Sequence, residues 1–225
     1  MASIRWLGHS AFEVKMGGKT LLFDPWLDPR PRDSERNVPP ATTAEKIKKA
    51  DLIFITHEHY DHCDPYDVAT IVQTTFAHVI APGPALAKLD IPQRNKIIAI
   101  AGDSFSFQGI DVDVFSAVHP QSTEPVAFRV SAEGKSLFHA GDTYDHYALS
   151  NVQVDLAMVP IGGTYTMDTL ASITALKKIR CKYAVPMHYG TFSRIDADVR
   201  EWEQRVKKET KATPVVLEVG DSFEF

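Results

Sequence analysis

The feature that most constrains this chain is a run of four apolar residues, Leu52-Ile53-Phe54-Ile55, that ends in Thr56-His57-Glu58-His59-Tyr60-Asp61-His62. A continuous apolar run of this kind reads as a strand buried on both faces. The fold must then deliver three imidazoles and two carboxylates to the end of a core strand, where unpaired polar groups are costly. Loops at strand ends are where folds of strands and helices assemble their sites. In extended chain, residues two apart point the same way, so His57 and His59 can converge on one cation. A turn into a helix start would send Asp61 and His62 together toward a second. Neutral imidazole and carboxylate are ligands that zinc, manganese and iron accept. Glu58 alternates away from the two histidines and reads as structural.

Three further positions share this context. His119 follows Val114-Phe115-Ser116-Ala117-Val118, and His188 follows Ala184-Val185-Pro186-Met187. Asp142 follows Leu137-Phe138-His139-Ala140-Gly141, where the glycine permits close backbone approach. Taken singly, these are core histidines and a helix cap as readily as ligands. Beside the first motif, the ligand reading leads.

Around these positions strands and helices alternate. Strands are expected over residues 4–7, 12–14 and 20–23, separated by Gly8 and Gly17-Gly18 in a hairpin-rich start. Residues 24–41 hold five prolines (Pro25, Pro29, Pro31, Pro39, Pro40) without periodicity; a loop this long usually serves as a lid or binding loop. A short helix over 43–49, capped by Thr42 or Thr43, leads into the strand 51–55. Then come a helix over 65–74, a strand over 78–81, strands over 104–107, 111–118, 126–130 and 136–138, and another over 155–159. A helix over 169–179 places Leu170, Ile173, Leu176 and Ile179 on one stripe. A strand over 183–186, a helix over 197–208 and β structure over 214–219 and 222–225 close the chain. No repeat shows at a fixed period, although the halves share a loose strand-then-helix plan. With no dividing linker, residues 1–225 are expected to form one α/β (α+β) domain rich in antiparallel sheet.

Composition narrows the partners. The formal net charge is −5. The densest basic stretches (Lys46, Lys48 and Lys49; Lys177, Lys178 and Arg180; Lys207, Lys208 and Lys211) lie on helix-like segments among acids or apolar residues. They read as solvated helix faces, so the expected partner is a small-molecule substrate and no nucleic acid. Two cysteines, Cys63 and Cys181, imply no disulfide framework. No stretch nears the roughly 18 continuous apolar residues of a spanning helix, and the N-terminus shows no secretory pattern. The expected address is therefore the cytoplasm, with no membrane partner; a homo-oligomer is left open.

Taken in order, His-x-His-x-Asp-His at 57–62, His119, His139-Ala-Gly-Asp142-Thr143, Gly162-Gly163-Thr164-Tyr165-Thr166-Met167-Asp168 and Pro186-Met187-His188-Tyr189, with Asp24-Pro25 after a strand, resemble the metallo-β-lactamase superfamily. The likeness spans nearly the whole chain. The Leu7-Gly8-His9-Ser10 start and the Gly-Gly-x-x-Thr-Met-Asp segment narrow it to small metal-dependent hydrolases of bacteria and archaea. L-ascorbate-6-phosphate lactonases and N-acyl phosphatidylethanolamine phospholipases are related branches. The resemblance implies a four-layer αβ/βα sandwich, the metallo-β-lactamase fold, with its site at the edge where the sheets meet. It also implies His57, His59 and His119 on one metal, Asp61, His62 and His188 on the other, and Asp142 bridging. Zinc is the first expectation for these two divalent ions, with manganese, nickel and iron accepted by the same ligands. Such a pair holds a bridging water at lowered pKa, which suits hydrolysis of a small ester, lactone or phosphoester.

Departures from other branches point the same way. Residue 59 is His where the diiron oxygen-reducing relatives carry Glu, and neither cysteine stands at a ligand position, as one often does in true β-lactamases. Asp61 and His9 are the expected catalytic residues: Asp61 to handle the proton, His9 as a substrate contact or general acid. Asp24 is expected to orient a ligand histidine and His139 to stand behind the ligands. Asp168 is expected to cap the helix after it, while Tyr165 and Tyr189 border the ligand loops. The alternative enzyme is a phosphodiesterase or nuclease, disfavoured by the acidic balance. A non-catalytic metal-binding protein that keeps the fold would need no open two-metal site.

Overall fold

The computed structural model describes residues 1–29 and 36–225; the middle of the proline-rich loop, Pro31 included, lies outside the described residues. Two seven-stranded mixed sheets carry the fold. In the first, β1 (Ser3–Gly8), β2 (Ala11–Met16) and β3 (Lys19–Phe23) form an antiparallel meander. β4 (Leu52–Phe54), β5 (His78–Ala81) and β6 (Lys96–Ile98) then add in parallel, with α1 (Pro65–Thr75) and α2 (Gly83–Ala87) in the connections. The second sheet repeats the plan. β7 (Ser104–Phe107), β8 (Ile110–Ser116), β9 (Val126–Ala132) and β10 (Lys135–His139) are antiparallel. β11 (Gln153–Pro160), β12 (Arg180–Met187) and β13 (Thr213–Pro214) follow in parallel, with α3 (Thr169–Lys178) and α4 (Val199–Glu209) between them. The last strand, β14 (Ser222–Glu224), crosses back to pair with β1. Parallel neighbours need crossovers, and helices in those crossovers cover the outer faces. The layers run helix, sheet, sheet, helix.

β4 shows why its apolar run is continuous. Leu52 and Phe54 face the core between the sheets, whereas Ile53 and Ile55 face the cluster that holds Val68, Ile71 and Val72 of α1. Phe54 meets Phe128 of the opposite sheet edge to face, with ring centroids 5.2 Å apart. On the far side, Ile173 and Leu176 of α3 and Trp202 and Val206 of α4 enter the same inter-sheet core cluster.

Three expectations are corrected. Segment 43–49 holds only a 3-10 turn, Ala44–Lys46, with no side-chain cap from Thr43 and with Ile47 already extended. So short a segment nucleates a helix poorly, and Ala44, Ile47 and Ala50 instead dock into the cluster beneath α1. Of the expected β structure over 214–219, only Thr213–Pro214 pairs with β12, because the chain must then leave for the first sheet. Leu170 is 57% exposed at the start of α3, where Ser172, Ile173, Ala175 and Leu176 face inward. α2 and β6 have no counterpart in the sequence reading; pieces this short carry too little periodicity.

Candidate metal centre

Strand ends from both sheets meet at one edge. β4 leads into His57, β8 toward His119, β10 into Asp142 and β12 into His188, while the β1–β2 turn presents His9. Two backbone bonds stitch the sheets there: Val126 N donates to Thr56 O at 3.0 Å, and His188 N to His9 O at 3.2 Å. Backbone strain collects at the same edge. His9, Asp24 and His188 have φ of 55°, 41° and 56°, in the left-handed region that non-glycine residues rarely adopt. At Gly141 (φ 58°) a Cβ would lie 2.7 Å from Thr56 Cβ, so only glycine lets the end of β10 close on the histidine motif.

Asp24, fully buried after β3, organises the first histidines. Its Oδ1 accepts from Thr56 N at 2.8 Å; its Oδ2 accepts from Thr56 Oγ1 at 2.8 Å and from His62 Nδ1 at 2.7 Å. Thr56 Oγ1 also lies 3.0 Å from His57 Nδ1. A hydroxyl that gives its one proton to Asp24 must accept from His57. Both His57 and His62 therefore carry a proton on Nδ1 and turn Nε2 into the site, the atom a metal would take. His59 is fixed in the opposite sense: Nε2 donates to Gln121 O at 3.0 Å, which leaves Nδ1 bare.

The bare His57 Nε2 and His59 Nδ1 stand 3.0 Å apart, with His119 Nε2 3.2 Å from His59 Nδ1. Facing lone pairs repel unless a cation sits between them. The spacing matches the edge of a tetrahedral shell, about 3.3 Å for metal–nitrogen bonds of about 2.0 Å. Asp142 reaches both sides of the cluster. Its Oδ1 is 3.2 Å from His62 Nε2, and its Oδ2 is 3.2 Å from His188 Nε2, 3.8 Å from His119 Nε2 and 4.0 Å from His57 Nε2. His62 Nε2, His188 Nε2 and Asp142 Oδ1 are buried without a hydrogen-bond partner. Buried polar atoms are almost always paired, so orphans that converge in this way fit a divalent cation. Among the described residues, three groups offer convergent ligand atoms: His57, His59 and His119; His57, His62 and Asp142; and His9, Asp61, His62 and His188. These His/Asp clusters are able to hold metal ions.

The carboxylates of the cluster attract positive charge, and on His62 they favour a second proton at the Nε2 that a metal would take. Burial opposes charge on His62, yet the Asp142 and Asp24 carboxylates lift its pKa well above the ordinary imidazole value. Burial likewise opposes ionisation of Asp142, and His188 and His62 overcome it, holding the carboxyl well below its usual range. Burial among other imidazoles pushes His57 well below the ordinary value.

His9 sits behind Asp61, 1% exposed, with Nε2 3.2 Å from Asp61 Oδ2 and Nδ1 3.0 Å from Thr191 Oγ1. Burial, with His188 close by, lowers its pKa to about 3, so the ring is neutral and has one proton to donate. Asp61 can only accept, so the proton lies on Nε2 and the Thr191 hydroxyl donates to Nδ1. A cavity of about 590 Å³ opens over the cluster. Its wall includes Asp61, His59, His119, Asp142 and His188, together with Tyr60, Tyr165, Phe192 and Arg194; His9 does not reach it. A wider depression of about 930 Å³ lies on the second sheet, but its Arg129 pairs with Asp113 and its Lys182 with Asp155.

The remaining sequence candidates separate clearly. Asp168 caps α3, accepting from Ala171 N at 2.8 Å. Glu58 accepts from Ser122 Oγ at 2.7 Å and Thr123 N at 2.9 Å, pinning the loop of His119 and Gln121. His139 donates to Ser10 O at 2.9 Å and stacks on Phe23, away from the cavity. Tyr165 lines the cavity, whereas Tyr189 stacks on Trp6. Sequence reasoning missed Thr56, Thr191, the Gln121 carbonyl and Arg194. Only Thr56, adjoining His57, offered a local signal.

Comparison with known proteins places these features. Residues 3–188 match the family described as Beta-lactamase superfamily domain. A UPF0173 metal-dependent hydrolase of Sulfurisphaera tokodaii is 32% identical over 233 residues, with 100% of both chains covered. One from Carboxydothermus hydrogenoformans is 35% identical over 215 residues, covering 90% of this chain and 91% of the relative. Among solved structures, Igni18, a novel metallo hydrolase from the hyperthermophilic archaeon Ignicoccus hospitalis, is similar at a TM-score of 0.86 and 30% identity, covering 100% of this chain and 99% of that one.

Proposed function

The chain belongs to the β-lactamase superfamily and is a metal-dependent hydrolase of it; from that premise we propose that it cleaves a small ester, lactone or phosphoester at a centre of two divalent ions. His57, His59 and His119 would hold one ion and Asp61, His62 and His188 the other, with Asp142 within reach of both. The observation that carries this reading is the set of bare, buried nitrogens and carboxylate oxygens that converge from both sheets. Zinc is the first choice, since imidazole and carboxylate in a near-tetrahedral set suit it. When bound, two such ions supply Lewis acidity and a water activated at neutral pH.

The residues around the ions divide the remaining work. Asp24 and Thr56 keep His57 and His62 in the tautomers that present Nε2. The hydrogen bond from His9 and the surrounding imidazoles outweigh burial and keep Asp61 ionised below the usual carboxylate range. Asp61, kept ionised on the cavity wall with its Oδ2 taken by His9, can accept a hydrogen bond from an attacking water at Oδ1 and orient it. His9 acts through Asp61 as a positioning residue. We read the whole chain as one hydrolase domain, because β14 at its C-terminal end completes the first sheet.

Elemental analysis of wild type and Asp142→Ala, paired with an ester, lactone and phosphodiester panel, tests the proposal. About two metals per chain, falling together with turnover in the variant, is the expected result. Wild-type protein that takes up no divalent metal after reconstitution would falsify it.

A further inference from the structure

Among the described residues, the cavity wall carries one permanent cation, Arg194, and its acids are Asp61 and Asp142, both placed in the ion cluster. Among the described residues, no carboxylate and no hydrogen-bond acceptor engages the Arg194 guanidinium, in a chain whose formal net charge is −5. Its backbone, in contrast, is held at several points. Thr164 Oγ1 donates to Arg194 O at 2.6 Å, and Gly190 N donates to Ile195 O at 2.9 Å. A Cβ at Gly162 would lie 2.9 Å from Ile195 Cβ, so the turn packs directly on the chain segment that follows β11. Arg194 is an exposed residue of the cavity wall, and a guanidinium on so fixed a turn, without a partner among the described residues, is available to an anion from outside. The same cavity wall carries Tyr60, 46% exposed, Tyr165, 40% exposed, and Phe192, whose rings offer flat apolar surface.

We propose that the substrate of this hydrolase carries an anionic group, carboxylate or phosphate, which Arg194 binds, and an apolar portion that lies against Tyr60, Tyr165 and Phe192 while the scissile bond sits at the ion cluster. The proposal rests on the hydrolase reading above. It narrows that reading from small esters, lactones or phosphoesters to those bearing a negative charge at a distance from the bond cleaved.

Two arms test it on the metal-loaded full chain. The first compares mono-4-nitrophenyl glutarate with 4-nitrophenyl valerate, acyl groups of equal length that end in carboxylate or methyl. Wild type is expected to prefer the glutarate ester in kcat/KM by about tenfold or more, carried by KM. In Arg194→Gln the ratio should fall to near one, and Arg194→Lys should keep part of it. The second arm needs no turnover: calorimetric binding of 3-phenylpropanoate, 2-phenylethylphosphonate and 3-phenylpropanamide to wild type and Arg194→Gln. Both anions should bind wild type about tenfold tighter than the amide, and the variant should lose that margin; the tighter anion identifies carboxylate or phosphate chemistry. Absence of an anion preference in wild type overturns the proposal. So does a preference that survives in Arg194→Gln, because the ions alone then account for it. If neither ester is cleaved while binding of the anions depends on Arg194, the inference stands and the hydrolytic range is what has failed.

Discussion

Asp24→Asn is the sharpest test of how the protein prepares its ligands. The substitution is isosteric, so it leaves no cavity, but it turns one acceptor oxygen into a donor. Asp24 now meets donors on both sides: Thr56 N at Oδ1, and Thr56 Oγ1 and His62 Nδ1 at Oδ2. In either amide orientation the new NH2 faces a donor. With NH2 in the Oδ2 position, the repair with the smallest motion shifts the His62 proton to Nε2, so that Nδ1 accepts from the amide. Thr56 Oγ1 would also accept from the amide and give its own proton to His57 Nδ1, moving the His57 proton to Nε2 as well. Each shift puts a proton on an atom that faces the cluster, and a metal must then displace it. Removing a carboxylate that orients a ligand histidine typically costs about 10–100-fold in metal affinity. With two histidines affected, the upper part of that range is expected, about 2–3 kcal/mol. Competition against a chromophoric chelator measures the affinity, and denaturant unfolding of both metal-free proteins checks that the fold persists. A folded Asp24→Asn protein that binds zinc as tightly as wild type would refute the tautomer relay.

Two other substitutions test the frame around the site. Asp67 is buried in α1, and its pKa is raised to about 7 by burial, which outweighs the hydrogen bond from Leu27 N. Because its folded pKa lies above the unfolded value of about 3.9, the protonated group contributes stability that is complete below about pH 4 and is lost as pH rises through 7. Urea unfolding should show wild type losing stability from pH 5 to pH 8 relative to Asp67→Asn; parallel pH profiles would contradict the assignment. Gly141→Ala forces a side chain into φ 58° and against Thr56. A loss of about 3 kcal/mol in unfolding free energy is expected from the left-handed backbone and the overpacking together. An unchanged denaturation midpoint would show that the close approach is not required.

What could be read in the sequence depended on whether identity and local order carried the information. The double-sided burial of β4 was legible, because a strand covered on both faces must be apolar at every position. The convergence of His57, His59, Asp61, His62, His119, Asp142 and His188 was legible too, since each stands just past an apolar strand. The matching plans of the two sheets were visible only loosely. Strand order is set by hydrogen-bond partners, and two meanders that continue into parallel crossovers need share no residue pattern. His9 was singled out by its turn, but its partners lie 52 and 182 residues away, at Asp61 and Thr191. Nothing local to Gly-His-Ser distinguishes a ring that faces a cavity from one that stands behind a carboxylate. The 3-10 turn at Ala44–Lys46 was misread for a related reason: docking under α1, not local propensity, sets its geometry.

The division of the donor set between the sheets bears on why the cavity exists. His57, His59, Asp61 and His62 come from the first sheet, and His119, Asp142 and His188 from the second. Neither sheet alone completes the set, so an ion held by the proposed ligands would tie the sheets together, and its binding free energy would add to the stability of their packing. Such a tie would also offset the cost of left-handed backbone at His9, Asp24 and His188, about 1 kcal/mol or more for each. A centre needed only for stability would be closed, with protein atoms at every coordination position. Here the cluster faces a cavity of about 590 Å³, and His59, Asp61, His119, Asp142 and His188 all line it. The geometry makes sense if the exposed side of the cluster is where a substrate meets it.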